Sequence, residues 1–532
     1  METVGKPYRK TVGISGEFDA IIIGSGMGGL SVASMLAQEN QRVLLLEQNT
    51  VIGGMTQAYS RNGYRWTVGM HYIGDVGSTQ SAGWKLFDYV TGGGLQWTPM
   101  PSIFNRMAIG DCHYEIPAGA EAYGNLLKAH FPNQAEPIDT YLALVGKVSK
   151  SSAGYFAQKA LSDAAVERVY DAMCTSFHSY SDRLTIDVLS ELFSDQELIA
   201  VICANWGDYS LEPTKSSFAM HCMLAKHYMN GAHYPVGGGM AFSRLMAPII
   251  EAAGGVLLHS ADVAEIVVEE GAAVGVRMGS GEVVRCPVVI SNAGVQNTFG
   301  RLLPAPVSAE LGLDTLLETV TDTYAVVGLN IGFNQSAEAL GFTPANVWSH
   351  PTNDLQANLD AHKAYFNAPF PWSFITFPST KDAAWDSEFP NKATVEMYAY
   401  THYSHFEQWA GTRWMKRGDD YLARKEVIRE RLLEELFRHV PPHARDAVDY
   451  VEVSTPLSYE TFAKRERGGF MGIESSPARF QQKWLRAQTP VKGLYITGQD
   501  LATDGVIGAL VGGVLCASAI VGKDLMGQIR GV

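Results

Sequence analysis

Three glycines and one carboxylate near the start of this 532-residue chain stand at a spacing that can hold a dinucleotide. The segment FDAIIIGSGMGGLSVASMLAQENQRVLLLEQNTVIGG runs from Phe18 to Gly54. Its apolar run Ala20 to Ile23 predicts a short buried parallel strand, and Gly24, Gly26 and Gly29 follow as GxGxxG. The first glycine permits a tight turn, the second lets a pyrophosphate approach the backbone, and the third lets helix and strand pack closely. A helix opening here turns free N–H groups and a positive dipole end toward phosphates. Ser25 and Gly28 complete the candidate turn. Val43 to Leu46 predicts the second strand. Glu47 ends it, roughly 20 residues past the turn, where a carboxylate can bind both ribose hydroxyls and repel a 2′-phosphate. Gly53 and Gly54 offer a second backbone approach near the pyrophosphate.

A second glycine-rich segment, GLYITGQDLATDGVIGALVGG from Gly493 to Gly513, narrows the ligand to a flavin dinucleotide. Leu494 to Thr497 reads as a short strand broken by Gly498. Asp500 at the turn can hydrogen-bond a ribityl chain. The stretch from Gly505, with Gly508 inside it, leads into an apolar helix ending near Val521. The start of that helix can stabilise negative charge on a reduced flavin. The alternative is a core helix with no ligand.

Those two ends need a large fold between them. Residues 18–75 are expected to form the first part of an FAD-binding domain, 231–300 the second and 461–532 the third. Residues 76–230 and 301–460 form the two parts of a substrate domain. The fold class is α/β: a Rossmann-type, glutathione reductase-like FAD-binding domain interleaved with a mixed sheet-plus-helix substrate domain. Leu189 to Ala204 reads as a helical stretch, and Tyr234 to Gly255 as a turn entering an amphipathic helix. Val256–Leu258 and Val263–Val268 read as strands, and a hairpin turns at Gly279–Gly281. Val263 is placed for a backbone contact to adenine. Tyr421 to His439 predicts an amphipathic surface helix closed by Pro441 and Pro442.

Bulk properties exclude other classes. The net charge of −14 argues against nucleic acid and against broad capture by anionic lipid. It leaves room for a local apolar membrane contact. Six scattered cysteines form no CxxC and no metal spacing, so no metal is expected and a reducing, cytoplasmic compartment is. The N-terminal residues show no leader pattern, and the apolar run Val506 to Gly522 is too short to span a bilayer.

The fingerprint, the YPVGGG turn, the SNAG segment (Ser291 to Gly294) and the terminal TGQD…GALVGG together resemble the phytoene desaturase-like flavoproteins. VGMHYIG, Val68 to Gly74, brings the resemblance closest to the all-trans-retinol 13,14-reductase and carotenoid isomerase branch. The resemblance implies non-covalent FAD and an apolar channel for a conjugated polyene, retinoid or carotenoid-like. It assigns Gly24, Gly26, Gly29, Glu47, Gly54 and Asp500 to FAD. Met55 stands where many relatives of the wider amine oxidase-like superfamily carry Arg, which fits the desaturase and saturase branch.

Hydride transfer at flavin N5 asks the protein mainly for positioning and dryness. Alkene reduction also needs a proton, for which His71, Tyr72 and Asp504 are the candidates; structural roles for all three are the alternative. A single strand–GxGxxG–helix unit leaves no separate nicotinamide domain, so NAD(P)H would act as a transient donor. Three functions remain open: a saturase or desaturase of a conjugated lipid or unsaturated fatty acid, a redox-neutral cis–trans isomerase using reduced FAD, and a binding protein without turnover. Oligomeric state is open.

Overall fold

The computed structural model describes residues 4–531; residues 1–3 of the N-terminal reading and Val532 of the expected last segment lie outside the described residues. Six parallel strands form the first sheet, in the order Lys6–Pro7, Val256–His259, Val43–Leu46, Ala20–Ile23, Val289–Ser291, Leu494–Ile496. The central strands are short, apolar and buried, as strands covered on both faces must be. Helix Met27–Gln38 follows the glycine turn as expected, and helix Gly505–Val521 lies against it. A three-stranded antiparallel sheet, Val263–Glu269, Ala272–Met278 and Val283–Arg285, contains the expected hairpin.

The second large sheet has seven strands, ordered Val448–Ser454, Ala325–Phe333, Ala393–Thr401, Ser373–Thr376, Asn346–His350, Ile103–Ile109, Cys112–Pro117. Ile103–Ile109 joins Asn346–His350 in a parallel pair. That pair binds two chain segments more than two hundred residues apart into one sheet. Ala325–Phe333 and Ala393–Thr401 are buried along their whole length. A helical layer built on Ala135–Ala157, Asp163–Ser181 and Phe218–Tyr228 completes this half.

Some local readings change. The stretch Leu189 to Ala204 is two helices, Thr185–Leu192 and Gln196–Cys203. Asp195 starts the second by accepting from Glu197 N–H at 3.0 Å and Leu198 N–H at 3.2 Å, so a cap outcompetes continuous helix. The hairpin Ala58–Arg61 with Tyr64–Thr67 has no counterpart among the expected strands. It is held by Arg65 against Asp382, whose other oxygen accepts from Gly237 N–H of the YPVGGG turn at 2.9 Å.

The two glycine-rich segments touch through backbone. A Cβ on Gly28 would lie 2.4 Å from Gly498 Cα, and one on Gly512 would lie 2.1 Å from Gly498 O. We expect Gly512→Ala to destabilise the protein by about 1–3 kcal/mol through overpacking against rigid backbone. Gly146→Ala, inside helix Ala135–Ala157 with open space at its Cβ, should instead stabilise by about 0.5–1 kcal/mol. Denaturant melts of the two variants check the contrast.

Candidate functional site

One cavity of about 1420 Å³ runs from the glycine turn to the wall of the seven-stranded sheet. Gly24, Gly26, Gly28, Glu47, Gly54, Met55, Val263 and Asp500 line it. Ser25, Gly29, Gly53, Gly498 and Gly508 stand behind the lining. Ser25 Oγ donates to Glu47 Oε2 at 2.7 Å and accepts from Gly53 N–H at 2.9 Å, so it ties Glu47 to the second glycine pair. Gly29, Gly498 and Gly508 answer to packing: a Cβ would fall 2.0 Å from Gly24 O, 2.4 Å from Asn292 Oδ1 and 2.0 Å from Thr503 O, respectively.

The residues present fit FAD. Gly24 takes a φ of +93°, and a Cβ on Gly54 would press to 2.7 Å from Gly26 Cα, where only bare backbone leaves room for a pyrophosphate. Helix Met27–Gln38 begins at Gly26 with no side-chain cap and no acid in its first turn. Helix Gly505–Val521 also begins uncapped, although Asp504 occupies its N-cap position. Asp504 is turned away: Ser475 Oγ donates to it at 2.9 Å and Arg479 Nη1 at 3.4 Å. Two helix starts therefore offer unsatisfied N–H groups, and Gly505, Val506 and Ala509 of the second line the cavity.

The two acids are oriented by backbone. Glu47 accepts from Ser25 N–H at 2.9 Å and Asn49 N–H at 2.8 Å. Asp500 accepts from Val295 N–H at 2.8 Å and Ile473 N–H at 3.1 Å. Each carboxylate keeps free lone pairs for ligand hydroxyls. Arg465, missed in the sequence, lines the cavity 3.7 Å from Asp500, with a buried Nη1 that lacks a hydrogen-bond partner. Asp322 faces the same guanidinium at 3.9 Å. Burial pushes the Asp322 carboxyl up to about 7 while Arg465 opposes the shift. Asn292, within SNAG, was read only as a strand end. With its amide oxygen toward the turn, it accepts from Gly26 and Gly29 N–H at 3.3 Å each.

None of the three proton-donor candidates lines the cavity. Tyr72 Oη donates to Asp208 at 2.6 Å, and its ring stacks on Tyr228 at 4.4 Å. Asp504 is held by Ser475 and Arg479 as described, and burial pushes its carboxyl up to about 6. His71 lies one layer back. Its ring sits 5.0 Å from that of Tyr398, a cavity residue, and its Nδ1 is 3.0 Å from Glu396 Oε2. Neither ring nitrogen of His71 makes an aligned hydrogen bond. Below it, Lys381 Nζ donates to His71 O at 3.2 Å, and burial lowers this ammonium to about 7.

The far wall is aromatic, with Tyr59, Tyr398, Tyr450, Tyr459 and Phe470. Set among them are two buried acceptors without a partner, Asn330 Oδ1 and Glu452 Oε2. Asn330 spends its amide nitrogen on Tyr59 Oη. Sequence alone offered no signal for this group, because its members come from four strands, the helix Pro456–Ala463 and the segment after it.

A family model described as an NAD(P)-binding Rossmann-like domain matches residues 22–90. The chain is 33% identical to the all-trans-retinol 13,14-reductase of Danio rerio over 528 residues, covering 96% of this chain and 87% of the relative. It is 25% identical to the chloroplastic prolycopene isomerase of Daucus carota, covering 98% and 81%. Among solved structures, putrescine oxidase bound to putrescine shares the fold with a TM-score of 0.62 at 14% identity, covering 95% of this chain and 99% of that one.

Burial also pushes the Asp208 carboxyl up to about 7, against the opposing hydrogen bond from Tyr72. The native state then holds a proton that the unfolded chain has lost between about pH 4 and 7. Asp208 therefore makes stability fall as pH rises through that window. Asp208→Asn keeps an acceptor for Tyr72 and removes the slope. In paired thermal melts, the variant's Tm should gain on the wild type steadily from pH 4.5 to 7.5; a constant difference would contradict a protonated Asp208.

Proposed function

Because the chain belongs to the all-trans-retinol 13,14-reductase family and is an FAD-dependent oxidoreductase, we propose that it reduces a carbon–carbon double bond of a retinoid-type polyene alcohol. The observation that carries this reading is the single cavity joining the flavin-fitting glycine turn to an aromatic wall with unpartnered acceptors. A flat conjugated chain matches the wall. A terminal hydroxyl has one O–H to donate, to Asn330 Oδ1 or to Glu452 Oε2. The carboxylate of a conjugated fatty acid would instead meet Glu452 with like charge.

Bound FAD supplies hydride transfer. The glycine turn and the two uncapped helix starts hold the phosphates and the developing negative charge. Glu47 takes the ribose hydroxyls and Asp500 the ribityl chain, while Arg465 Nη1 offers a further donor to the cofactor. Met55, Val68 and Gly69 line the passage between the cofactor turn and the aromatic wall. The side chains of that wall exclude water and fix the polyene in one plane. His71, beside Glu396 and packed on Tyr398 one layer behind the wall, is assigned to positioning that tyrosine, with Lys381 beneath it. NAD(P)H would supply the electrons as a transient donor. The lipid substrate class also favours peripheral contact with a membrane.

The test is anaerobic. The flavin of purified protein is reduced, and all-trans-retinol, a carotenoid and a conjugated fatty acid are added in turn. Flavin reoxidation with a gain of two hydrogens in the retinol product is the expected result. Altered geometry at unchanged mass would replace the reading with an isomerase, and no reaction with any polyene would favour a binding protein. Asn330→Leu should raise KM for the alcohol about tenfold, as loss of a hydroxyl contact does, with flavin content unchanged.

A further inference from the structure

One guanidinium stands between two carboxylates at the cofactor end of the cavity. Arg465 Nη1 lies 3.7 Å from Asp500 Oδ2 and 3.9 Å from Asp322 Oδ1. The side chains of Arg465, Asp500 and Asp322 are 11%, 2% and 13% exposed. The two acids are held differently. Asp500 accepts from two backbone N–H groups and lines the cavity. Asp322 stands behind the lining, and neither of its oxygens has a hydrogen-bond partner. Its backbone is fixed all the same. Asp322 forms a β-bridge with Ile473, and the Oγ1 of Thr323 accepts from the N–H of Met471, a cavity residue, at 2.8 Å.

Two ionised acids around one cation would leave this buried group net negative, which burial disfavours. The proton goes to the acid whose charged form has fewer donors, and that is Asp322. Burial pushes its carboxyl up to about 7; Arg465 opposes the rise, while Asp500 and Glu466 add to it. Arg465 is the member that reaches the cavity beside Asp500, and its Nη1 lacks a hydrogen-bond partner. The charge it offers a ligand therefore follows the state of the carboxyl behind it. A reduced flavin carries more negative charge than an oxidised one and gains more from a neighbouring cation. We propose that Asp322 is a positioning residue acting through Arg465: its ionisation screens the guanidinium and lowers the preference of the protein for reduced over oxidised FAD. Asp322 takes no part in bond making. The inference rests on the cofactor named above and not on the polyene. Below about pH 7 Asp322 is neutral and Arg465 keeps its charge for the cofactor; above it the carboxylate screens that charge.

The experiment is the flavin midpoint potential of the full-length holoenzyme, titrated with dithionite against a reference dye from pH 6 to 8.5, in the wild type and Asp322→Asn. At pH 6 the two potentials should lie close together. By pH 8.5 the wild type should lie lower by about 30 mV, which is about a tenfold loss of preference for the reduced cofactor. The titration of the flavin itself is common to both proteins and cancels in the difference. Asp322→Ser removes the same charge and should reproduce the asparagine curve. Repeating the pair with Arg465→Gln in both should close the gap, because without the guanidinium the buried carboxyl keeps its proton. Coincident curves at every pH, or an offset that does not change with pH, overturn the proposal. A gap that persists without Arg465 overturns the action through that residue. Protein that holds no flavin would sink the cofactor reading instead, and a holoenzyme inert toward every polyene but with the expected gap leaves this inference standing.

Discussion

Backbone meets backbone where the start and the end of the chain pack together, and the cofactor cavity depends on that contact. Gly28 and Gly498, together with Gly512, leave no room for a single Cβ between the two helices and their strands. The close approach sets both helix starts toward the same space. It also buries Asn292 against the turn, where its amide can take up N–H groups that a wider fold would leave to water. Hydrophobic area alone would not specify this arrangement, since larger apolar residues would bury more area and push the helices apart.

Around that contact, charges are held by hydrogen bonds more than by ion pairs. Glu47 and Asp500 are each fixed by two backbone N–H groups, which orients them without neutralising them. Asp504 shows the opposite treatment. Arg479 and Ser475 pull it off the helix it would otherwise cap, and that helix start stays available for ligand charge. Asp382 links Arg65 of the hairpin to the YPVGGG turn.

Much of the cofactor half was legible in the chain. The strand Ala20–Ile23, the helix after it, Val43–Leu46 with Glu47 at its end and the strand before Asp500 are each readable from a short window in which periodicity and turn glycines carry the information, although their sheet partners lie far along the chain. What escaped was non-local. The pairing of Ile103–Ile109 with Asn346–His350 has no sequence signal, and neither does the meeting of Tyr59, Asn330 and Glu452. Gly29, Gly498 and Gly508 each clear a neighbouring atom behind the cavity lining, and in sequence a glycine that clears a neighbour looks like one that clears a ligand.

The sequence by itself determined the strand–GxGxxG–helix unit, the acid at the end of its second strand, the glycine turn before Asp500 and the resemblance to a flavoprotein family, because each is written in short spacings of glycine, acid and apolar residues. Only the tertiary structure decided that His71 stands behind the wall, that Asp504 is tied to Arg479, and that Trp414 and Phe462 from separate segments meet at one opening. Those are decided by packing between segments hundreds of residues apart, where local propensity has no hold.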